Sequence, residues 1–477
     1  MTAALNSSLL KHFWYGVRVR HHDLAVIGAG SGSSIIDSRF DHLDVAVVEH
    51  GRFGGTCLNV GCIPTKMYVH AAHVADTVRE AHRFGVDATV DKVRWADIRE
   101  RIFGRIDPIS DGVRDYRNDP VRTPNVTTYE GSARFTGARS VRVELPTGTA
   151  EEFTADRILI AAGARPDVPE IVESSGVPYE TSDTVMRLSA VPRRLVVLGG
   201  GFVGAEFAHV FSAFGAHVAV VSQGPALLRR EDEDVSAAFT DRARERWDVR
   251  LNTRVAGMTG SPGDIRVELS DGSVVEADTV LVATGRRPNG DLLDVGSAGI
   301  PLHLDGRIVV DEYQRTPVDG IFAIGDVSSP FQLKHVANHE KRVVAHNLLH
   351  PDDLRATDHR FVPSAVFTTP PIASVGMTGQ RCRDLGLDHV VTVQRFADVA
   401  YGWALEDTTG FVKVIADRDT GRLVGAHIIG PEASTLIQQL VQVMASDQDV
   451  REIVRQQYWI HPALPEVVEN ALLGLEF

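Results

Sequence analysis

Asp23-Leu24-Ala25-Val26-Ile27-Gly28-Ala29-Gly30-Ser31-Gly32-Ser33 is the stretch that decides the fold: a short apolar run that ends in closely spaced glycines. A second apolar run, Val45 to Val48, ends at Glu49, 21 residues after the first glycine. Strand, glycine turn, helix, strand and acid in this order form the fingerprint of a dinucleotide-binding βαβ unit. Gly28 and Gly30 would let a pyrophosphate approach the start of the helix, and Glu49 would accept from an adenosine ribose hydroxyl. Ser33 replaces the third glycine, which loosens helix–strand packing at that point. A glycine-rich turn without a ligand is the other reading.

Directly downstream, Gly54-Gly55-Thr56-Cys57-Leu58-Asn59-Val60-Gly61-Cys62-Ile63-Pro64-Thr65-Lys66 holds two of the three cysteines in 477 residues. Pro64 suits the first turn of a helix, and Met67, Ala71, Val74 and Val78 recur at the spacing of one apolar helix face. Both cysteines are therefore expected at a helix N-terminus. There, free backbone amides and the positive end of the helix dipole stabilise a thiolate and prepare the pair for thiol–disulfide exchange. A structural disulfide or half of a metal site are the other readings. With Cys382 isolated, zinc lacks a ligand set and no metal is expected.

A second fingerprint follows. Leu195 to Leu198 reads as a strand, Gly199-Gly200-Gly201-Phe202-Val203-Gly204 carries all three glycines, Ala205 to Phe214 is helical, and Ala216 to Val221 is the next strand. That strand ends at Ser222-Gln223 without an acid. A carboxylate there would hold a ribose 2′-hydroxyl and repel a 2′-phosphate, so its absence, with Arg229 and Arg230 close behind, favours NADPH over NADH. Alternatively both arginines simply face solvent. Strands running into Gly163 and Gly285 punctuate the chain before and after this unit, and Ile321 to Asp326 is a strand delivering a carboxylate at its end. His339-Glu340 with His346 lacks the spacing of a zinc-binding helix and reads as a polar helix face. Beyond Pro363, alternating strands and a long helix from about Ser434 to Ala445 mark a separate third domain.

Composition narrows the partners. With 49 basic and 63 acidic residues, a net charge of −14 and a pI near 5.7, neither nucleic acid nor an anionic membrane surface is an expected partner. Only six of the basic residues are lysines, Lys66 among them. No apolar run reaches membrane-spanning length; Phe202 to Val221 is interrupted by Glu206, His209 and His217. A cytoplasmic location is expected. The first 22 residues hold Lys11, Arg18 and Arg20 and no acid. A start of translation near Val17 or Val19 is preferred to a transit peptide.

Two dinucleotide sites and one reactive dithiol imply an electron path from a nicotinamide to a disulfide. Hydride transfer delivers two electrons and a disulfide takes two, so a flavin is the natural intermediary and the first unit is expected to bind FAD. Near the C-terminus, His461-Pro462-Ala463-Leu464-Pro465-Glu466 sets a carboxylate five residues after a histidine. This is either an acid–base group with its tautomer fixed or a surface histidine in a proline-rich turn.

Together the dithiol segment, the two fingerprints, Gly285, Gly325-Asp326 and the His461 to Glu466 segment resemble the flavin-dependent pyridine nucleotide–disulfide oxidoreductases, from about residue 22 to the end. The resemblance implies an α/β fold with two Rossmann-like dinucleotide-binding domains plus an α+β C-terminal dimerisation domain. The expected division is an extension at 1–21, an FAD domain at 22–165, an NAD(P) domain at 166–285, a segment returning to the FAD domain at 286–360 and a dimerisation domain at 361–477. Cys62 would lie against the flavin and Cys57 would attack the substrate disulfide. His461 would come from the partner subunit of an obligate homodimer to handle the Cys57 proton, with Glu466 orienting its ring. Lys66 would pair with Glu206 beside the flavin, Asp326 would bind the ribityl chain, and Phe202 would gate the nicotinamide. Gly55, Thr56, Gly163 and Gly325 would complete the FAD site, and Gly199, Gly201, Gly204, Arg229 and Gly285 the NADP site. Further segments, among them Glu206 to Ser212, Leu333 to His339 and Asp398 to Ala404, resemble the branch that reduces the disulfide of mycothiol. Gln223 stands where NADPH-dependent members commonly carry an arginine, which makes the preference over NADH less strict. Members acting on lipoamide rank second, because they usually carry an acid where this chain has Ser222-Gln223, and those acting on glutathione disulfide third. A non-catalytic FAD-binding scaffold is the alternative from another class; it would need no dithiol, His461 or Glu466.

Overall fold

The computed structural model describes residues 19–477, so most of the expected extension, and Val17 with it, lies outside the described residues. Strand β1 (Arg20–Ile27) begins before the apolar run and before the expected boundary at 22. The reason is His22: it is fully buried, with its ring nitrogens hydrogen-bonded to Asp44 Oδ1 at 2.8 Å and the Tyr129 hydroxyl at 2.9 Å. Residues Arg20 to His22 thereby pair with Phe153 to Ala155.

The first sheet runs β3-β2-β1-β6-β5-β4, built from β1, β2 (Val45–Glu49), β3 (Val126–Glu130), β4 (Ser132–Gly137), β5 (Ser140–Glu144) and β6 (Ala150–Ile160). Alternate residues of β1 and β2 face opposite layers. Leu24, Val26, Val45 and Val47 pack on Phe40 and Val344, while Ala25, Ile27, Ala46 and Val48 pack on Phe153 and Ile158. Burial on both faces accounts for the continuous apolar runs.

Between β1 and β2 the expected helix is reduced to two 3₁₀ turns, Gly32–Ile35 and Ser38–Phe40. Ser33, Ser34 and β-branched Ile35 and Ile36 are weak helix formers, and Asp37 accepts from the Arg39 N–H at 3.0 Å, starting a new turn instead of prolonging the first. The dithiol segment forms α1 (Gly55–Asn59) and α2 (Cys62–Glu80). The buried face of α2 is Tyr68, Val69, Ala72 and Ala75, rotated one position from the expected face, and Val74 is 54% exposed. Tyr68 sets the rotation by stacking on Trp95 of α3 (Trp95–Asn118) at 4.9 Å and donating to the Met186 carbonyl at 2.7 Å.

After β7 (Ala164–Pro166), α4 (Glu170–Glu173) and β8 (Glu180–Thr181), the second unit contains β9 (Arg194–Leu198), α5 (Phe202–Ala213), β10 (His217–Val221), α6 (Glu233–Arg246) and β11 (Asp248–Arg250). An antiparallel trio, β12 (Val255–Ser261), β13 (Asp264–Leu269) and β14 (Val274–Ala277), precedes β15 (Thr279–Val282). Its parallel sheet is ordered β11-β10-β9-β15-β8. The strand β16 (Arg286–Pro288) then pairs with β7, and β17 (Ile321–Ala323) lies parallel to β6, back in the first sheet.

Helix α7 (Lys334–Leu349) does not present His339-Glu340 as a polar face. Glu340 is fully buried and accepts from the Gly325 N–H at 2.6 Å, and Val343, Val344 and Ala345 are buried beside it. The last unit is an antiparallel sheet ordered β18-β19-β22-β21-β20, from β18 (Ser364–Val366), β19 (Ile372–Gly376), β20 (His389–Arg395), β21 (Phe411–Asp417) and β22 (Leu423–Ile429). Its core packs against α10 (Ala433–Ala445) and α12 (Pro465–Leu473), with α8 (Gly379–Asp384), α9 (Ala400–Ala404) and α11 (Val450–Gln456) at its edges. Asp232, the N-cap of α6, joins the second unit to this one. Its carboxylate accepts from Lys413 Nζ at 2.8 Å and from the Gly379 N–H at 2.8 Å, and Lys413 also meets Asp234 at 2.6 Å. Among the described residues no helix is long and apolar enough to cross a membrane.

Candidate active site

A cavity of about 1050 Å³ follows the ends of β1, β2 and β6, from Glu49 past Gly28, Gly30 and Ser31 to the two cysteines and Lys66. Its narrow middle depends on glycine. Gly28 has φ +107°, and a Cβ there would lie 2.4 Å from the Ala161 carbonyl oxygen; a Cβ on Gly55, φ +68°, would lie 2.7 Å from Gly30 Cα. The glycine that brings the turn against the strand is Gly32, whose Cβ would fall 2.4 Å from that of Ala161. Ser33 therefore does not occupy a missing packing position: it is buried outside this cavity, and its carbonyl accepts from Arg117 at 2.8 Å. Glu49, also buried, accepts from the N–H groups of Ala29 at 2.7 Å and Gly51 at 2.8 Å.

Cys62 is the first residue of α2, as expected, but Cys57 lies within α1 rather than at the start of a longer helix. Both are free thiols. The Cys57 thiol bonded to Cys62 draws the latter down to about 7 against the opposing effect of burial, and the Lys66 ammonium helps. The same bond, with burial, pushes Cys57 up, so Cys62 carries the charge and Cys57 keeps the proton. One turn along α2, Lys66 Nζ meets both oxygens of buried Glu206, at 2.7 and 2.6 Å, and lies 4.5 Å from the Phe367 ring centre. The Phe367 N–H donates to Glu206 at 3.0 Å, so the pair is held from α2, α5 and the last unit at once.

Thr56, Gly163, Gly325 and Asp326 also line the cavity, and burial pushes the Asp326 carboxyl up while Arg286 opposes it. Exposed Phe202 closes part of the wall next to Glu206. Gly199, Gly201, Gly204, Gly285 and Arg229 lie outside it, in the second unit. Gly199, φ +123°, and Gly204 make close approaches there: their Cβ atoms would lie 2.2 Å from the Ala283 oxygen and 2.3 Å from the Gly199 oxygen. Arg229 is exposed and its chain packs over Gly224, just beyond Ser222 and Gln223 at the end of β10. His461 Nδ1 is bonded to Glu466 Oε1 at 2.6 Å, yet His461 is 69% exposed and does not line the cavity of its own chain. Three residues to which the sequence assigns no role at the site also shape it: Lys334, which donates to Ser31 Oγ at 2.7 Å, Arg286, which faces Asp183 at 3.6 Å, and Glu340 behind Gly325. Each meets a partner distant in sequence, which no local pattern announces.

Residues 22–341 match the family model for pyridine nucleotide-disulphide oxidoreductases, and residues 362–472 match the dimerisation domain of the same proteins. The chain belongs to the pyridine nucleotide-disulphide oxidoreductase family, and it is an FAD-dependent disulfide oxidoreductase with an α/β fold. A mycothione reductase from Mycobacterium tuberculosis is 52% identical over 95% of this chain and 99% of its own length. A dihydrolipoyl dehydrogenase from Mycobacterium leprae is 34% identical over 95% and 98%. Among solved structures, the copper(II) complex of the HOCl-induced flavoprotein disulfide reductase RclA from Escherichia coli superposes with a TM-score of 0.83 at 29% identity, covering 95% of this chain and 99% of that one.

Proposed function

We propose that this protein reduces mycothiol disulfide to mycothiol with NADPH, in the cytoplasm, as a homodimer whose two active sites each draw on both subunits. The observation that carries the substrate is the 52% identity, over 95% of the chain, to a relative named mycothione reductase. The cavity suits FAD: a buried acid at one end, exposed glycine backbone in the middle, and the dithiol with Lys66–Glu206 at the other. Bound FAD would relay two electrons from the nicotinamide to the Cys57–Cys62 pair. Asp326 would hold its polyol chain, and Phe202 would cover the nicotinamide position until that cofactor enters.

The residues then divide the work. Glu466 holds Nδ1 of His461, leaving Nε2 to accept a proton. His461 of the partner subunit takes the proton that Cys57 retains, and the Cys57 sulfur attacks one sulfur of the substrate. The substrate S–S bond breaks, a mixed disulfide forms, and the departing thiolate recovers the proton from the imidazolium. The Cys62 thiolate then attacks Cys57, restoring the intramolecular disulfide and releasing the second product thiolate, which is protonated from solvent. Two electrons have passed from the dithiol to the substrate.

The absence of an acid at Ser222-Gln223 and the position of Arg229 support NADPH. Arg229→Ala is expected to raise the KM for NADPH about tenfold while leaving that for NADH nearly unchanged; catalytic efficiency with NADH equal to or above that with NADPH in the parent would overturn the preference. The deciding experiment compares initial rates of NADPH oxidation with mycothiol disulfide, lipoamide and glutathione disulfide. Preference for mycothiol disulfide supports the reading. Preference for lipoamide would make the protein a dihydrolipoyl dehydrogenase, a reading favoured by the 34% identity to such a relative and opposed by Ser222-Gln223.

A further inference from the structure

Among the described residues, the arginines and lysines lining the cavity face carboxylates, with one exception. Lys66 faces Glu206, Arg52 faces Asp107, Arg165 faces Asp291 and Arg286 faces Asp183. Lys334 has no carboxylate within ion-pair distance among the described residues; its only hydrogen bond crosses 303 positions to the hydroxyl of Ser31. Seven residues on, along the same face of α7, Lys341 is likewise bonded only to a hydroxyl, that of Ser34, at 2.8 Å. Two of the six lysines in the chain thus converge on the first fingerprint turn, and among the described residues neither has a carboxylate within ion-pair distance; Lys334 acts on Asp326 and the cysteine pair only from further away.

That turn lacks the usual source of positive potential. The second fingerprint leads into the 12-residue helix α5, whereas the first leads into two separate 3₁₀ turns of four and three residues. The partial charge at a helix N-terminus arises from peptide dipoles aligned through a continuous helix, so the first fingerprint, followed only by short 3₁₀ turns, presents backbone N–H groups with little macrodipole behind them. A half-buried ammonium without an ion-pair partner is stabilised by a directly bound anion, and a pyrophosphate laid along Gly28 to Ser31 supplies one.

We infer that Lys334, supported by Lys341, is a cofactor-binding residue that replaces the missing helix as the counter-charge for the pyrophosphate of a flavin dinucleotide. The inference rests on the FAD reading of the cavity. It is tested by reconstituting apo-protein with FAD and following flavin fluorescence over a range of salt concentrations, beside the melting temperature of the apo-protein. Lys334→Gln is expected to weaken FAD binding about tenfold and to flatten its salt dependence, with the apo melting temperature unchanged. Lys334→Arg, which keeps the charge, is expected to recover most of the affinity, and Lys341→Gln to show a smaller loss in the same direction. A Lys334→Gln protein with parental FAD affinity and salt dependence overturns the assignment alone. Loss in Lys334→Arg equal to that in Lys334→Gln overturns it too, because shape rather than charge would then matter. A parent protein that takes up no FAD overturns the cofactor reading and this inference together.

Discussion

Cys62 and Lys66 stand one turn apart on α2, so a thiolate and an ammonium share the end of one cavity. The direction of the shift defines the window: drawn down to about 7, Cys62 is a thiolate above that pH and is protonated below it. Alkylation of the reduced protein by iodoacetamide is expected to accelerate through about pH 7, and Cys62→Ser is expected to remove that phase; a midpoint at the pH of an ordinary thiol would contradict the arrangement. Lys66 also neutralises Glu206, which is otherwise enclosed. Lys66→Met is expected to cost about 3 kcal/mol of stability, read as a lowered denaturation midpoint, because it strands a buried carboxylate. Glu206→Gln should cost less, since it leaves no buried charge. The cysteines were legible in the sequence because a close pair in a chain with three cysteines is conspicuous. Lys334 was not, since nothing near residue 334 announces a partner at residue 31.

At the scale of elements, strands were easier to read than helices. The runs at β1, β2, β9 and β10 are buried on both sides and declare themselves by composition alone. The helix that the glycine motif predicts after Gly28 does not form, because local propensity, with two serines and two isoleucines ahead of Asp37, opposes it. The face of α2 was misplaced by one residue because Tyr68 and its stacking partner Trp95 outweigh Val74, an outcome decided by a tertiary contact. The junction of α6 with β21 was invisible for the same reason. Burial works against charge on Asp232, yet its bonds to Lys413 and Gly379 hold its carboxyl below the usual range; Lys413 is in turn held above the usual lysine value despite burial. A depressed acid stabilises above its unfolded pKa and a raised base below its own, so this junction should contribute fully between about pH 4 and 10 and be lost outside those limits. Lys413→Met is expected to destabilise the protein by about 3–5 kcal/mol at pH 7, measured by denaturant unfolding, and to reduce the loss of stability on acidification. Equal stability with and without the lysine would show that the two units are held by apolar packing alone.

For the whole molecule, the separation of His461 from the cavity of its own chain is the feature that calls for a second subunit. Co-expression of Cys57→Ser with His461→Ala is expected to give hybrid dimers that regain disulfide reductase activity which neither variant has by itself, because one of the two hybrid sites has both an intact cysteine pair and an intact histidine. Hybrids as inactive as their parents would refute the shared site. Glycine-bounded strands that repeat on either side of the second nucleotide unit are visible in the sequence; the contacts by which the units meet, such as Asp232 with Lys413, are not. The return of β17 to the first sheet has a consequence for synthesis. The chain emerges N-terminus first, and the second nucleotide unit, whose parallel sheet spans residues 180–282, can close as soon as it clears the ribosome, while in the first sheet the C-terminal edge of β6, Ile158–Ile160, stays bare until Ile321–Ala323 arrive. A nascent or truncated chain ending near residue 300 would carry that apolar edge unprotected, which makes the first-made part of the polypeptide mature after the unit that follows it and increases its dependence on a chaperone.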